Sequence, residues 1–216
     1  FINRLKDGGK AGKTFFGQLQ DQLAKLGVYL SGSAIWNAIH QAMRQMLQNV
    51  IDLDRAMTEL KKVTSATEAA YDRFLNNAAK RAGTLGATLA DVVTATADFA
   101  RLGYNIDQAS ALADAAIVYK NVGDGITDIS VASESIISTM KAFGVEASDV
   151  MSIVDKFNKI GNEMPISSSG IGDALLRSAS SLAAAGNTLE EAIGLIVAGN
   201  AVLQDPDVVG TSLNAE

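Results

Sequence analysis

Trp36, Ile39, Met43, Met46, Val50, Leu53, Met57 and Leu60 follow one another at alternating intervals of three and four residues. That spacing places an apolar seam along one side of a helix, and no Gly or Pro interrupts it. The pattern predicts a helix over 33–63 with Ser33 as its N-cap. Upstream, Phe16, Leu19, Leu23, Leu26 and Leu30 repeat the spacing and predict a helix over 14–30, ended by Ser31-Gly32-Ser33. The long seam admits two readings: an amphipathic helix lying on its own domain, or a self-association seam of an intermolecular coiled coil. Few opposite charges flank it at the positions that would select a partner.

Beyond Thr67 the pattern changes. Three stretches align with one another, Ala97–Leu112, Ile137–Ile153 and Ser180–Leu195. Each is a helical run closed by a glycine, at Gly103, Gly144 and Gly186, with a polar cap and an acidic residue soon after. The glycines recur 41 and 42 residues apart, a period typical of stacked helical hairpins. Glycine suits a helix C-terminus because a left-handed backbone costs it little. Asn187-Thr188-Leu189-Glu190-Glu191 combines a cap with early carboxylates.

The predicted helices span 67–82, 88–102, 107–122, 129–143, 147–160, 169–185 and 188–203, with loops at Val122–Asp128, Gly161–Gly170 and Gln204–Gly210. No stretch alternates with a period of two. The fold class is all-α, a long heptad-patterned helix followed by an array of antiparallel helical hairpins. Residues 1–63 form the amphipathic, coiled-coil-like segment and residues 64–216 the hairpin domain.

Charge removes some functions. Residues 1–62 hold nine Lys/Arg against five Asp/Glu, and residues 63–216 hold nine against nineteen. The acidic majority argues against nucleic-acid binding, which needs clustered cations. The chain has no Cys and a single His, so disulfides, thiolate metal sites and most histidine-based schemes are excluded. No signal peptide precedes the helices, and no apolar run suffices to span a bilayer. The chain begins at Phe1 and stops without a closing signal, as a piece of a longer protein would.

The candidate chemistry is thin. Gly12-Lys13-Thr14 imitates a phosphate-binding loop, but the glycine required five residues before Gly12 is Asp7, and no strand precedes it. His40 sits beside the seam with no second imidazole or thiolate to share a metal. Asp124-Gly125-Ile126-Thr127-Asp128 lacks the spaced oxygens and late Glu of a calcium loop. Ser167-Ser168-Ser169-Gly170 lacks the surroundings of a nucleophile and is better suited to capping a helix. The chain is therefore expected to be no enzyme, with no catalytic, cofactor-binding or metal residues.

Asp52–Thr67 resembles the opening signature of the phage tail tape measure proteins of long-tailed phages and prophages. Leu89–Ala116, Ala132–Ser148 and Gly172–Leu213 are similar to later blocks of that family, in the same order. The resemblance implies a structural protein of the tail lumen that sets tail length and acts in assembly and genome delivery. It implies the tail tube protein, tail-tip or baseplate proteins and tail assembly chaperones as partners, with host cytoplasm as the place of assembly. Homo-oligomerisation would follow from the seam. The rival reading is a membrane-active or host-interacting helical protein.

Overall fold

The computed structural model describes residues 32–214. The expected helix over 14–30 and the glycine-rich stretch before it lie outside the described residues. The chain divides into two compact units, 1–51 and 52–216. In the first, the described residues belong to helix α1 (Gly32–Val63). Its extent matches the heptad pattern, with one correction. Gly32 is already helical, so Ser33 lies inside the first turn rather than capping it.

The unit boundary falls within α1. Ala56 and Leu60 are buried in the core of the second unit, with Leu53 and Met57 packed against it. Residues 52–63 thus belong with the helices that follow. These are α2 (Glu68–Leu85), α3 (Leu89–Ala100), α4 (Ile106–Val122), α5 (Ile129–Ala142), α6 (Met151–Glu163), α7 (Ser168–Ala184), α8 (Leu189–Leu203) and α9 (Pro206–Asn214). No strand occurs among the described residues.

The second unit is built from four helical hairpins, α2/α3, α4/α5, α6/α7 and α8/α9. Their second helices α3, α5, α7 and α9 pack in succession as one layer, and α2, α4 and α6 pack in succession as another. The α7–α9 pairing is the most extensive of all. Extensive packing is confined to hairpins adjacent in sequence. All buried apolar residues nevertheless form a single continuous cluster. Tyr119 and Phe157 are buried in it, with ring centroids 5.4 Å apart and edge to face. The Tyr119 hydroxyl donates to the Ser168 carbonyl at 2.8 Å, which satisfies its only buried donor.

The turns explain why this chain folds back repeatedly. Gly86, Gly103, Gly144 and Gly186 all have positive φ, between 62° and 92°. An added Cβ would meet no heavy atom within 4 Å at any of the four. Backbone conformation, not space, is what requires glycine there. At three of them the next residue's N–H reaches back five residues: Ala87 to Ala82, Val145 to Met140 and Asn187 to Leu182. This is the Schellman closure, which satisfies carbonyls left over at the helix end. Two residues after Gly86, Gly103 and Gly186 stand Thr88, Asn105 and Thr188. Each closes a capping box with Asp91, Gln108 and Glu191 respectively. After Gly144 the equivalent Glu146 makes no side-chain cap. The chain there enters a short 3-10 turn at Ala147–Asp149 before α6 starts at Met151, so the single helix expected over 147–160 is broken. Gly86 belongs to the same turn type although it falls outside the 41–42-residue period.

Two expected loops are shorter than predicted. The Gly161–Gly170 loop shrinks to 164–167, because α6 continues to Glu163 and Ser167 caps α7 by accepting from the Gly170 N–H at 3.0 Å. The expected loop at Gln204–Gly210 is mostly helix α9. Pro206 occupies its first position, where its missing N–H is no loss. Asp205 accepts from the N–H groups of Asp207 and Val208, both at 3.1 Å. Gln204 takes the left-handed conformation, φ 52°, that ends α8 without a glycine.

Candidate functional surface

Gly12-Lys13-Thr14 lies outside the described residues, and the serines and the acidic loop make structural contacts. Ser167 caps α7, and its hydroxyl lies 3.0 Å from that of Ser169. Ser168 is buried and donates to the Phe157 carbonyl at 3.2 Å. In the acidic loop, Asp128 caps α5 by accepting from the Ser130 N–H at 2.8 Å. His40 is an exposed residue of α1. Among the described residues no group of three or more His, Asp or Glu could hold a metal ion. Among them, too, no helix is long and apolar enough to cross a membrane.

The charged side chains of the body mostly tie neighbouring helices together. Arg81 of α2 donates to the Ser110 hydroxyl at 2.8 Å and pairs with Asp114 of α4 at 3.3 Å. Lys120 of α4 pairs with Asp91 of α3 at 3.0 Å. Arg101 joins Asp98 of α3 to Glu59 of α1. Burial raises the carboxyls of Asp98, Asp114 and Asp173 above the ordinary aspartate value of 3.8. For Asp98 and Asp114 the paired arginine opposes the rise. At Asp173 the neighbouring Asp207 adds to it, against Arg177.

These shifts fix a sign. A carboxyl whose folded pKa is raised favours the folded state while protonated. Its contribution is therefore fully present below about 3.8 and is lost as pH rises through the folded value. Asp173→Asn should raise the melting temperature at about pH 7, and the two melting temperatures should converge as pH falls toward 3.8. Thermal melts across that range are the check. A variant less stable than wild type at neutral pH would show that the Asp173 charge is favourable in the fold.

What remains exposed and unusual is apolar. From Ala192 to Leu203, helix α8 carries no charged residue. One side of it packs inward through Ala192, Ile193 and Ile196, while Leu195, Val202 and Leu203 stay exposed, with Val208 of α9 nearby in sequence. A helix apolar all round is normally buried on all sides, so this outer face is suited to contact rather than to solvent. Sequence reasoning weighs apolar runs only as membrane spans, although the charge-free run is the visible signal of this face. The family model for phage-related minor tail proteins matches residues 76–215, more than half of the chain and nearly the whole hairpin array.

The chain belongs to the phage-related minor tail protein family. No solved structure matches it. As a member of a phage tail family it has a structural role in the tail, and other tail components are the partners that membership suggests. The matched region begins in α2 and leaves out α1, which carries the seam. Of the seam residues, the side chains of Trp36, Ile39 and Met43 lie outside the described residues. Met46 and Val50 are exposed, Leu53 and Met57 are half-buried, and Leu60 is fully buried in the core. The seam is therefore not one continuous free surface, because its C-terminal end is covered by this minor tail protein's own helices.

Proposed function

We propose that this chain is a segment of a tail tape measure protein, the protein that sets tail length, and that its hairpin array is a compact assembly or docking domain. The stacking of four short hairpins carries this reading. Residues 68–214 would reach about 220 Å as one continuous helix, yet they fold back at every turn. A ruler needs length per residue, and this arrangement gives that up for packed surface. The part played here is non-catalytic. In this reading the segment works in the tail lumen after assembly in the host cytoplasm. Its partners are the tail tube protein, tail-tip or baseplate proteins and tail assembly chaperones, and it leaves the tail ahead of the genome.

The test is in-frame deletion of whole hairpins within residues 67–203 of the full-length protein, with tail length measured by electron microscopy. A docking domain predicts few or no complete tails. Viable tails shortened in proportion to the deletion would show that the hairpins are ruler instead. The membrane-active reading predicts strong association of the 216-residue chain with liposomes. The acidic excess of residues 63–216 opposes that on anionic lipid.

A further inference from the structure

The apolar outer face of the α8/α9 hairpin has a definite layout. Leu195 and Val202 stand seven residues apart and so share one side of α8; they are 43% and 82% exposed. Gly199 lies between them on that side, and a Cβ there would be 3.0 Å from Val209 Cγ1 on α9. The two helices therefore touch along this line, and Val208, beside Val209 and 46% exposed, continues the face onto α9. Exposed apolar side chains grouped in this way mark interaction sites. Exposed carboxylates stand at the two ends of the face, Glu191 one turn before Leu195 and Asp205 just past the end of α8. The Thr188 backbone N–H holds the Glu191 carboxyl below the ordinary glutamate value, so that end stays charged. We propose that this face docks a helix of another protein that sets lysine or arginine beside its apolar side chains.

The junction inside the array shows which chemistry fits. Where α8/α9 meets the preceding hairpin, Lys156 of α6 pairs with Glu190 of α8 at 3.4 Å, and Arg177 of α7 pairs with Asp207 of α9 at 3.1 Å. In both pairs the cation comes from the third hairpin and the carboxylate from the fourth. The fourth has no cation to pass on, because residues 178–216 contain five Asp/Glu and no Lys or Arg. A partner that continues the pattern brings the cations itself. A second copy of this face would set carboxylates against carboxylates in either orientation, which opposes association. An anionic lipid surface would meet the same repulsion. The inference rests on the docking role proposed above and names the surface that performs it.

Binding of synthetic helical peptides to the 216-residue chain, read by fluorescence anisotropy, tests it. One peptide carries leucines in three-four spacing with lysine elsewhere, and its counterpart has glutamate in place of every lysine. The lysine peptide is expected to bind at least about tenfold more tightly. Val202→Ser should weaken that binding about tenfold. Glu191→Gln combined with Asp205→Asn should weaken it about three- to tenfold and reduce its dependence on salt. The amides keep a capping oxygen and all three positions are exposed, so circular dichroism of these variants should match wild type. Asp72→Asn, exposed on α2, should bind as wild type does. No binding of the lysine peptide, equal binding of the two peptides, or a loss at Asp72 equal to that at the face would overturn the proposal. So would a dimer in light scattering that Val202→Ser abolishes, which assigns the face to a second copy. Co-sedimentation with phosphatidylcholine–phosphatidylglycerol vesicles, abolished by the same change, would overturn it in favour of lipid. If the peptide fails to bind while hairpin deletions still abolish tails, the docking role stands and uses another surface. Proportionally shortened tails would instead remove the docking role and this proposal with it.

Discussion

Replacing Phe157 with alanine is expected to cost about 3–5 kcal/mol of folding stability, the usual range for an aromatic truncated inside a packed core. Phe157 is wholly buried on α6 and meets the edge of Tyr119 from α4. Its backbone carbonyl receives the Ser168 hydroxyl from the start of α7. Three helices from two neighbouring hairpins therefore converge on one ring. The cavity cannot close by a local shift, because Tyr119 is itself held by its hydrogen bond to the Ser168 carbonyl. For a domain of this size the melting temperature should fall by about 10 °C. Urea unfolding should show an earlier midpoint with little change in slope. A loss below about 1 kcal/mol would mean that this part of the core repacks freely.

The second large effect belongs to Gly210. A Cβ at that position of α9 would lie 2.6 Å from the Ala174 carbonyl oxygen and 2.8 Å from the Ala174 Cα on α7. Both are backbone atoms, so no rotamer change relieves the clash and the two helices must separate. This close approach sustains the most extensive helix pairing in the molecule. Gly210→Ala should therefore destabilise by about 1–3 kcal/mol even though alanine is the better helix former. The damage should be local. Amide exchange should accelerate in α9 and the outer part of α8, with little change in α3 and α4. The contrasting case is Gly194, exposed in α8 with nothing within 4 Å of an added Cβ. Gly194→Ala should stabilise by about 0.5–1 kcal/mol. If both substitutions moved stability in the same direction, close approach at Gly210 would not be what matters there.

The helices were legible in the sequence wherever a local rule acted alone. The heptad spacing located α1 because nothing inside it breaks a helix. Gly103, Gly144 and Gly186 located turns because positive φ is a backbone demand that few other residues meet. The misses share a different cause. Within the loop expected over Gln204–Gly210, Pro206 starts a helix, since its effect depends on whether Asp205 caps the first turn. Gln204 ends α8 in a left-handed conformation the sequence does not advertise, with its N–H bonded to the Asn200 carbonyl. The break between the helices expected over 67–82 and 88–102 contains Gly86, but its spacing departs from the period, and only its geometry groups it with the others. The functional surface was harder to read. Exposure along a seam is decided by which neighbours arrive, so Met46 and Leu60 look equivalent in sequence and are opposite in the fold.

Packing confined to adjacent hairpins also sets how the molecule comes apart. In an array of this kind stability is a sum of contributions from units and from junctions between neighbours, rather than one indivisible quantity. The outermost hairpin, α8/α9, is anchored through α7, so its detachment leaves the interior junctions intact. Tension applied to the chain would then be released in instalments, each freeing a length of polypeptide while the remainder stays folded. Single-molecule pulling would record separate rips rather than one. A protein dismantled in this order can pass through an opening narrower than its folded width, emerging end first.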